Sequence, residues 1–134
     1  MKSWDVIVIG SGAGGFAAAV TACCKGLSVL MLEKAPQFGG TSAISGGAVW
    51  INDTDQARAQ GKSGAADAIK TYLKTIVGEQ NYRPDIVDAF VASGREALAF
   101  LEKEGAVKYS LRPLSPDYYP DEPGAVDCGR ALEV

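Results

Sequence analysis

Gly10, Gly12 and Gly15 stand in the stretch GSGAGG at the spacing G-x-G-x-x-G, and a carboxylate, Glu33, follows further along. Each glycine has a physical task in such a pattern. The first permits a tight turn, the second lets backbone approach a pyrophosphate, and the third lets a helix pack closely on a strand. The pyrophosphate then lies on the unpaired N–H groups at the start of the helix. Glu33 comes roughly 20 residues after the glycines, the distance at which an acid accepts hydrogen bonds from a ribose diol. It would also repel a 2′-phosphate, so NADP is disfavoured. The glycine pattern alone is common, but here it follows a β-branched run and opens a helical one. The stretch reads as a dinucleotide site.

The fingerprint serves NAD and FAD enzymes alike. GGTSAISGGAVW (39–50) separates them. Gly39, Gly40, Thr41 and Ser42 offer N–H groups and two hydroxyls to the far end of a diphosphate or to a ribityl chain. Gly46 and Gly47 offer bare backbone against which a flat ring system can lie. A nicotinamide enzyme has no need of this second small-residue track, and a plain linker is the weaker alternative.

Other chemistry is narrowed by what the composition omits. The chain has no histidine, so Ser-His-Asp hydrolysis, Cys-His catalysis and ordinary zinc sites are excluded from this stretch. Cys23, Cys24 and Cys128 are odd in number, and two are adjacent within a helical pattern, so they read as small buried side chains rather than a disulfide framework. Acid–base work is left to a cofactor, tyrosine, lysine, arginine or carboxylates. Trp50 reads as packing, with a substrate wall as the alternative; Arg112 and Arg130 read as solvated or turn-stabilising, with contact to an anionic substrate as the alternative. Lys62, Lys70 and Lys74 read as a solvated face.

These residues need elements to position them. WDVIVIG (4–10) is a short strand, GSGAGGFAAAVTACCKG (10–26) a helix ended by Gly26, and LSVLMLEK (27–34) a strand apolar enough to be buried on both faces. Together they make a βαβ unit with a parallel sheet. INDTDQARAQGKSG (51–64) reads as a polar surface connector. AADAIKTYLKTIVG (65–78) sets Ile69, Leu73, Ile76 and Val77 on one helical face. In 83–105 a longer helix begins at Pro84 and Asp85, stops at Gly105, and buries Ile86, Phe90, Ala97, Leu98 and Leu101. LRPLSPDYYPDEPG (111–124) reads as loop, and the closing ALEV shows no evident element.

The fold class expected is therefore α/β: a Rossmann-like dinucleotide-binding βαβ unit and flavin loop over 1–50, a connector with helices over 51–110, and a Pro/Tyr-rich loop over 111–134. Two strands are fewer than a self-sufficient doubly wound sheet has. The chain reads as an incomplete domain, the N-terminal part of a longer protein, whose partners include the remainder of its own chain. A net charge of -3 gives no footprint for nucleic acid. No apolar run approaches the roughly 20 residues that span a bilayer. The N-terminus lacks the pattern of a secretory signal, so the expected location is cytoplasmic.

The motifs together resemble the fumarate reductase/3-ketosteroid dehydrogenase superfamily of flavoproteins. The likeness runs from DVIVIGSGAGGFAAA through VLMLEKAPQFGGTSAISGGAVWIN, and SGGAVWIN with PDYYPDEPG is similar to the 3-ketosteroid Δ1-dehydrogenase branch. The resemblance implies FAD as cofactor. Gly10, Gly12, Ala13, Gly14 and Gly15 would cradle its pyrophosphate, Glu33 and Lys34 its adenosine ribose, Gly40, Thr41, Ser42 and Ala43 its diphosphate and ribityl chain, and Ser45, Gly46 and Gly47 its ring. It implies a steroid or related cyclic ketone as substrate, desaturated by α-proton abstraction and hydride transfer to flavin N5, with a separate electron acceptor. Tyr118, with Tyr119 beside it, matches a tyrosine that assists proton removal in that branch. Two aromatics that merely pin a loop are the alternative. A fumarate-reductase-like enoate reductase and a truncated, non-catalytic nucleotide-binding fragment are the competing functions. The chain alone is expected to be inactive and to hold FAD weakly.

Overall fold

A computed structural model describes residues 2–134. The chain forms two units: one runs to Gly47 and includes Glu104–Ala106, and the other comprises Ala48–Lys103 and Val107–Val134.

The first unit is the expected βαβ arrangement. Strand β1 (Val6–Ile9), helix α1 (Ala13–Cys24) and strand β2 (Val29–Leu32) follow one another. β1 and β2 pair in parallel, Val6 opposite Val29 and Ile9 opposite Leu32, and α1 packs on both strands. Past Gly26, the Gly26 N–H donates to the Cys23 carbonyl and the Leu27 N–H to that of Ala22. This pair of bonds is a Schellman closure, and it satisfies carbonyls that the helix end would otherwise leave open.

Burial on both faces of β2 does not hold. Val8 is the buried residue of β1, β2 is half-buried, and Ile7, Ile9 and Leu32 are exposed. Successive strand residues face opposite sides, and a single crossover helix covers one side of the pair. Nor are Cys23 and Cys24 buried: both are exposed, and Ala22 is the buried residue of α1.

The second unit contains strand β3 (Ala48–Trp50), helices α2 (Asp55–Ala59), α3 (Ala66–Val77) and α4 (Pro84–Lys103), and strands β4 (Ser110–Leu111) and β5 (Ala131–Glu133). The three strands form an antiparallel sheet in the order β3-β5-β4, with Leu132 opposite both Val49 and Leu111. Ala57, Leu98, Leu111 and Leu132 make the core, and Val49, Ile51, Tyr109 and Cys128 pack against it.

Several expectations are corrected here. The polar stretch 51–64 is a surface connector only in part: 58–63 is exposed, but most of the residues before it pack inward. Thr54 caps α2 by accepting from the Ala57 N–H at 3.3 Å, and Asn52, Thr54 and Ala57 are buried. On α3 the buried residues are Ile69 and Tyr72, whereas Ile76 and Val77 are exposed. The buried side of α4 runs through Gly94 and Leu98, while Ile86 and Ala97 face outward. Gly94 is what brings α4 close, since a Cβ there would lie 3.0 Å from the Ile51 side chain. The loop expected over the last two dozen residues holds for 112–130. The closing residues are β5, the central strand, whose three residues are too few to display an alternating pattern. No helix among the described residues is long and apolar enough to cross a membrane.

Candidate functional site

In the first unit the glycine loop joins β1 to α1. Gly10 takes φ +93° and its N–H donates to the Leu32 carbonyl, which fixes the turn to the end of β2. A Cβ on Gly15 would lie 2.0 Å from the Gly10 carbonyl oxygen, so only glycine lets α1 start this close to the strand. Gly12 is the N-cap of α1 and offers no side chain to the first turn. The N–H of Ala13 is taken by Ser42 Oγ at 3.1 Å. Those of Gly14 and Gly15 have no acceptor among the described residues, and a Cβ on Gly14 would meet nothing within 4 Å. Two unpaired donors at a helix start under open space form a cradle for a phosphate oxygen.

Glu33, just past β2, closes on this loop. Its Oε2 accepts from the Ser11 N–H at 2.9 Å and the Ser11 hydroxyl at 2.5 Å, and its Oε1 accepts from the Ala35 N–H at 2.9 Å. These donors, the Ala35 N–H foremost and the Ser11 hydroxyl next, lower its pKa to about 2. A carboxylate offers about four acceptor positions. Ser11 and Ala35 fill three of them, so the residue anchors the loop. Lys34 is exposed beside it.

Ser11 is the residue the sequence pattern passes over. It is completely buried, and its hydroxyl both donates to Glu33 and accepts the Gly39 N–H at 2.8 Å. One side chain thus ties the glycine loop, the end of β2 and the start of the second small-residue track. That track is not extended backbone: Gly40–Ile44 is a short 3-10 turn. A Cβ on Gly39, which has φ +119°, would fall 2.4 Å from the Ala43 Cβ. Ser45 Oγ donates to the Ser42 carbonyl and accepts the Gly47 N–H. Thr41, Ser42, Ala43, Ser45, Gly46 and Gly47 are all exposed. The first unit therefore brings together the glycine loop, Glu33 and Ser42, with 45–47 continuing as open small-residue surface. Open donors, an ionised acid and a bare track suit a dinucleotide.

The second unit contains a pocket of about 340 Å³, within the range of small-ligand sites. Trp50, Tyr72, Leu73 and Ile76 wall it, and Tyr118 and Tyr119 stand at it. Tyr118 is 97% exposed. Trp50 packs as expected, stacking on Phe90 with ring centroids 6.3 Å apart, and it also lines the pocket. Arg112 also reaches the pocket and keeps a loose, exposed pairing with Glu133 at 3.4 Å.

Arg130 is turn-stabilising and not solvated: it is one of the most buried side chains, paired with buried Asp117 at 2.5 Å and donating to the Gly124 carbonyl at 2.9 Å. Charged residues are rarely buried unless paired, and spacing alone does not reveal the partner.

The family model described as "FAD binding domain" matches residues 5–127. The chain is 41% identical over 133 residues to a 3-oxosteroid 1-dehydrogenase of Mycobacterium tuberculosis, an alignment covering 99% of this chain and 23% of that protein. It is 46% identical over 132 residues to a 4-oxocyclohexanecarboxylate 2-dehydrogenase of Sinomonas cyclohexanicum, covering 98% of this chain and 23% of the relative. Among solved structures it superposes with a TM-score of 0.80 and 36% identity on the 3-ketosteroid Δ1-dehydrogenase of Sterolibacterium denitrificans in complex with 1,4-androstadiene-3,17-dione, over 98% of this chain and 23% of that one. It thus spans under a quarter of the length of each. A parallel βαβ unit, a phosphate cradle and a matching family model lead to one conclusion: the chain belongs to the FAD-binding-domain family, on the 3-ketosteroid dehydrogenase branch of the fumarate reductase superfamily of flavoproteins.

Proposed function

We propose that the protein carrying this chain is an FAD-dependent dehydrogenase that introduces a carbon–carbon double bond beside the carbonyl of a cyclic ketone, a 3-ketosteroid or a smaller ring. The observation that carries this reading is the apolar pocket with a free tyrosine at its mouth. Relatives named for a 3-oxosteroid and for 4-oxocyclohexanecarboxylate, both cyclic ketones, support it.

Each group has a role in this proposal. The open N–H groups of Gly14 and Gly15 hold the pyrophosphate, with Gly10, Gly12 and Ala13 shaping the loop around it. Glu33 and Lys34 take the adenosine ribose. Gly40, Thr41, Ser42 and Ala43 follow the ribityl side, and Ser45, Gly46 and Gly47 border the ring. Bound FAD supplies the acceptor for the hydride leaving the β-carbon. Trp50, Tyr72, Leu73 and Ile76 cover the substrate's apolar rings and exclude water. The Tyr118 hydroxyl assists removal of the α-proton, with Tyr119 beside it. Polarising the ketone acidifies that proton and so eases its transfer. An external acceptor carries the electrons away.

A substrate panel on the FAD-loaded full-length protein tests this. The expected outcome is turnover of saturated cyclic ketones with an artificial electron acceptor. Turnover of an enoate such as fumarate with a reductant, and none of any cyclic ketone, would replace the reading with an enoate reductase.

A further inference from the structure

We propose that Arg130, Asp117 and Trp50 are positioning residues that fix the backbone on both sides of Tyr118, so that its ring stands free at the pocket. The kinetic consequence rests on the reading of Tyr118 given above; the structural one does not.

Asp117 is held from three directions. Its Oδ1 accepts from Trp50 Nε1 at 2.8 Å, and its Oδ2 accepts from the Val126 N–H at 3.0 Å and from Arg130 Nη1 at 2.5 Å. Its own N–H donates to the Val126 carbonyl at 3.0 Å. Arg130 uses two further donors, on Asn52 Oδ1 at 3.2 Å and the Gly124 carbonyl at 2.9 Å. The guanidinium lies over the rings of Trp50 and Tyr72, 5.4 and 5.6 Å from their centroids. On the far side of Tyr118, the Tyr119 N–H donates to the Tyr72 hydroxyl at 3.2 Å. Residues 117 and 119 are therefore tied to β3, to Arg130 just before β5, and to α3, while the ring between them is 97% exposed.

Stability does not account for this arrangement. Burying an ion pair costs desolvation that its attraction barely repays, and well-packed apolar residues often serve as well. What apolar residues cannot supply is direction. A planar guanidinium fork and a carboxylate with three donors set the 116–119 segment in one place and one orientation.

Asp117→Asn would strand a buried guanidinium and risks unfolding, so Trp50→Phe is the variant of choice. It removes one N–H and keeps an aromatic ring against Phe90. In the FAD-loaded full-length protein we expect amide exchange at Asp117 and Tyr119 to quicken by about tenfold, with Val49 and Leu132 in the sheet unchanged. We also expect kcat to fall several-fold with less change in KM, and this loss to vanish in a Tyr118→Phe background. Arg130→Lys, which keeps the charge and loses the fork, should act in the same direction and more strongly. Unchanged exchange at both amides, or exchange quickened equally throughout the sheet, would overturn the proposal. So would kcat losses from Trp50→Phe and Tyr118→Phe that simply multiply. If Tyr118→Phe alone leaves turnover untouched, the function proposed for that tyrosine fails, and the exchange pattern by itself decides the positioning.

Discussion

Glu33 anchors the glycine loop through Ser11, and in the function proposed it also takes the adenosine ribose. The donors around it hold its pKa at about 2, below the ordinary 4.5. A folded-state pKa that is depressed gives a contribution fully present above the ordinary value and lost as pH falls through the lowered one. Anchoring of the loop should therefore be constant from neutrality down to about 4.5 and fail only on approach to about 2. A carbon-13 titration of the Glu33 carboxyl checks this, and a midpoint near 4.5 would show that the Ser11 bonds are not made in solution. At this scale the sequence was readable where glycine or charge carries the meaning: Gly10, Gly15 and Glu33 stood out. Ser11 did not, because its task depends on the approach of Gly39, distant in the chain. Arg130 was read only in part for the same reason, since its partner Asp117 is set by the fold and not by the spacing.

β1, α1 and β2 sit within a residue or three of their expected bounds, and so do α3 and α4. Orientation was legible in part: Ile69 and Leu98 are buried as expected. The inward side of α4 passes through Gly94, which no hydrophobic count would choose, and α3 turns Tyr72 inward in place of Ile76 and Val77. α2 is only five residues long, and DQARA looks polar; a single small residue, Ala57, is what it contributes to the core. Its cap should matter accordingly. Thr54→Ala leaves the Ala57 N–H without its acceptor in a buried setting, and a loss of about 1 kcal/mol is expected. A lower urea midpoint at unchanged slope would register it. No shift would mean that the hydroxyl contributes nothing to holding α2 in place.

As a whole, the chain pairs a nucleotide-binding unit of recognisable pattern with a second unit whose sequence signals are weaker. The strands of the second unit are two or three residues each, and its central strand is the last. Their pairing is long-range and cannot be read from local pattern, whereas the family resemblance reached the tyrosine segment directly. The claim that joins these observations is that Tyr118 serves the removal of a proton from a cyclic ketone. The measurement that tests it most directly is a rapid-mixing experiment on the FAD-loaded full-length protein without electron acceptor. Saturated cyclic ketone is added to the wild type and to Tyr118→Phe, and loss of the flavin's visible absorbance is followed. The account predicts rapid bleaching in the wild type and a rate lower by roughly 100-fold in the variant, the scale of a lost acid–base group. Equal rates in the two proteins, or no bleaching by any cyclic ketone, would contradict it.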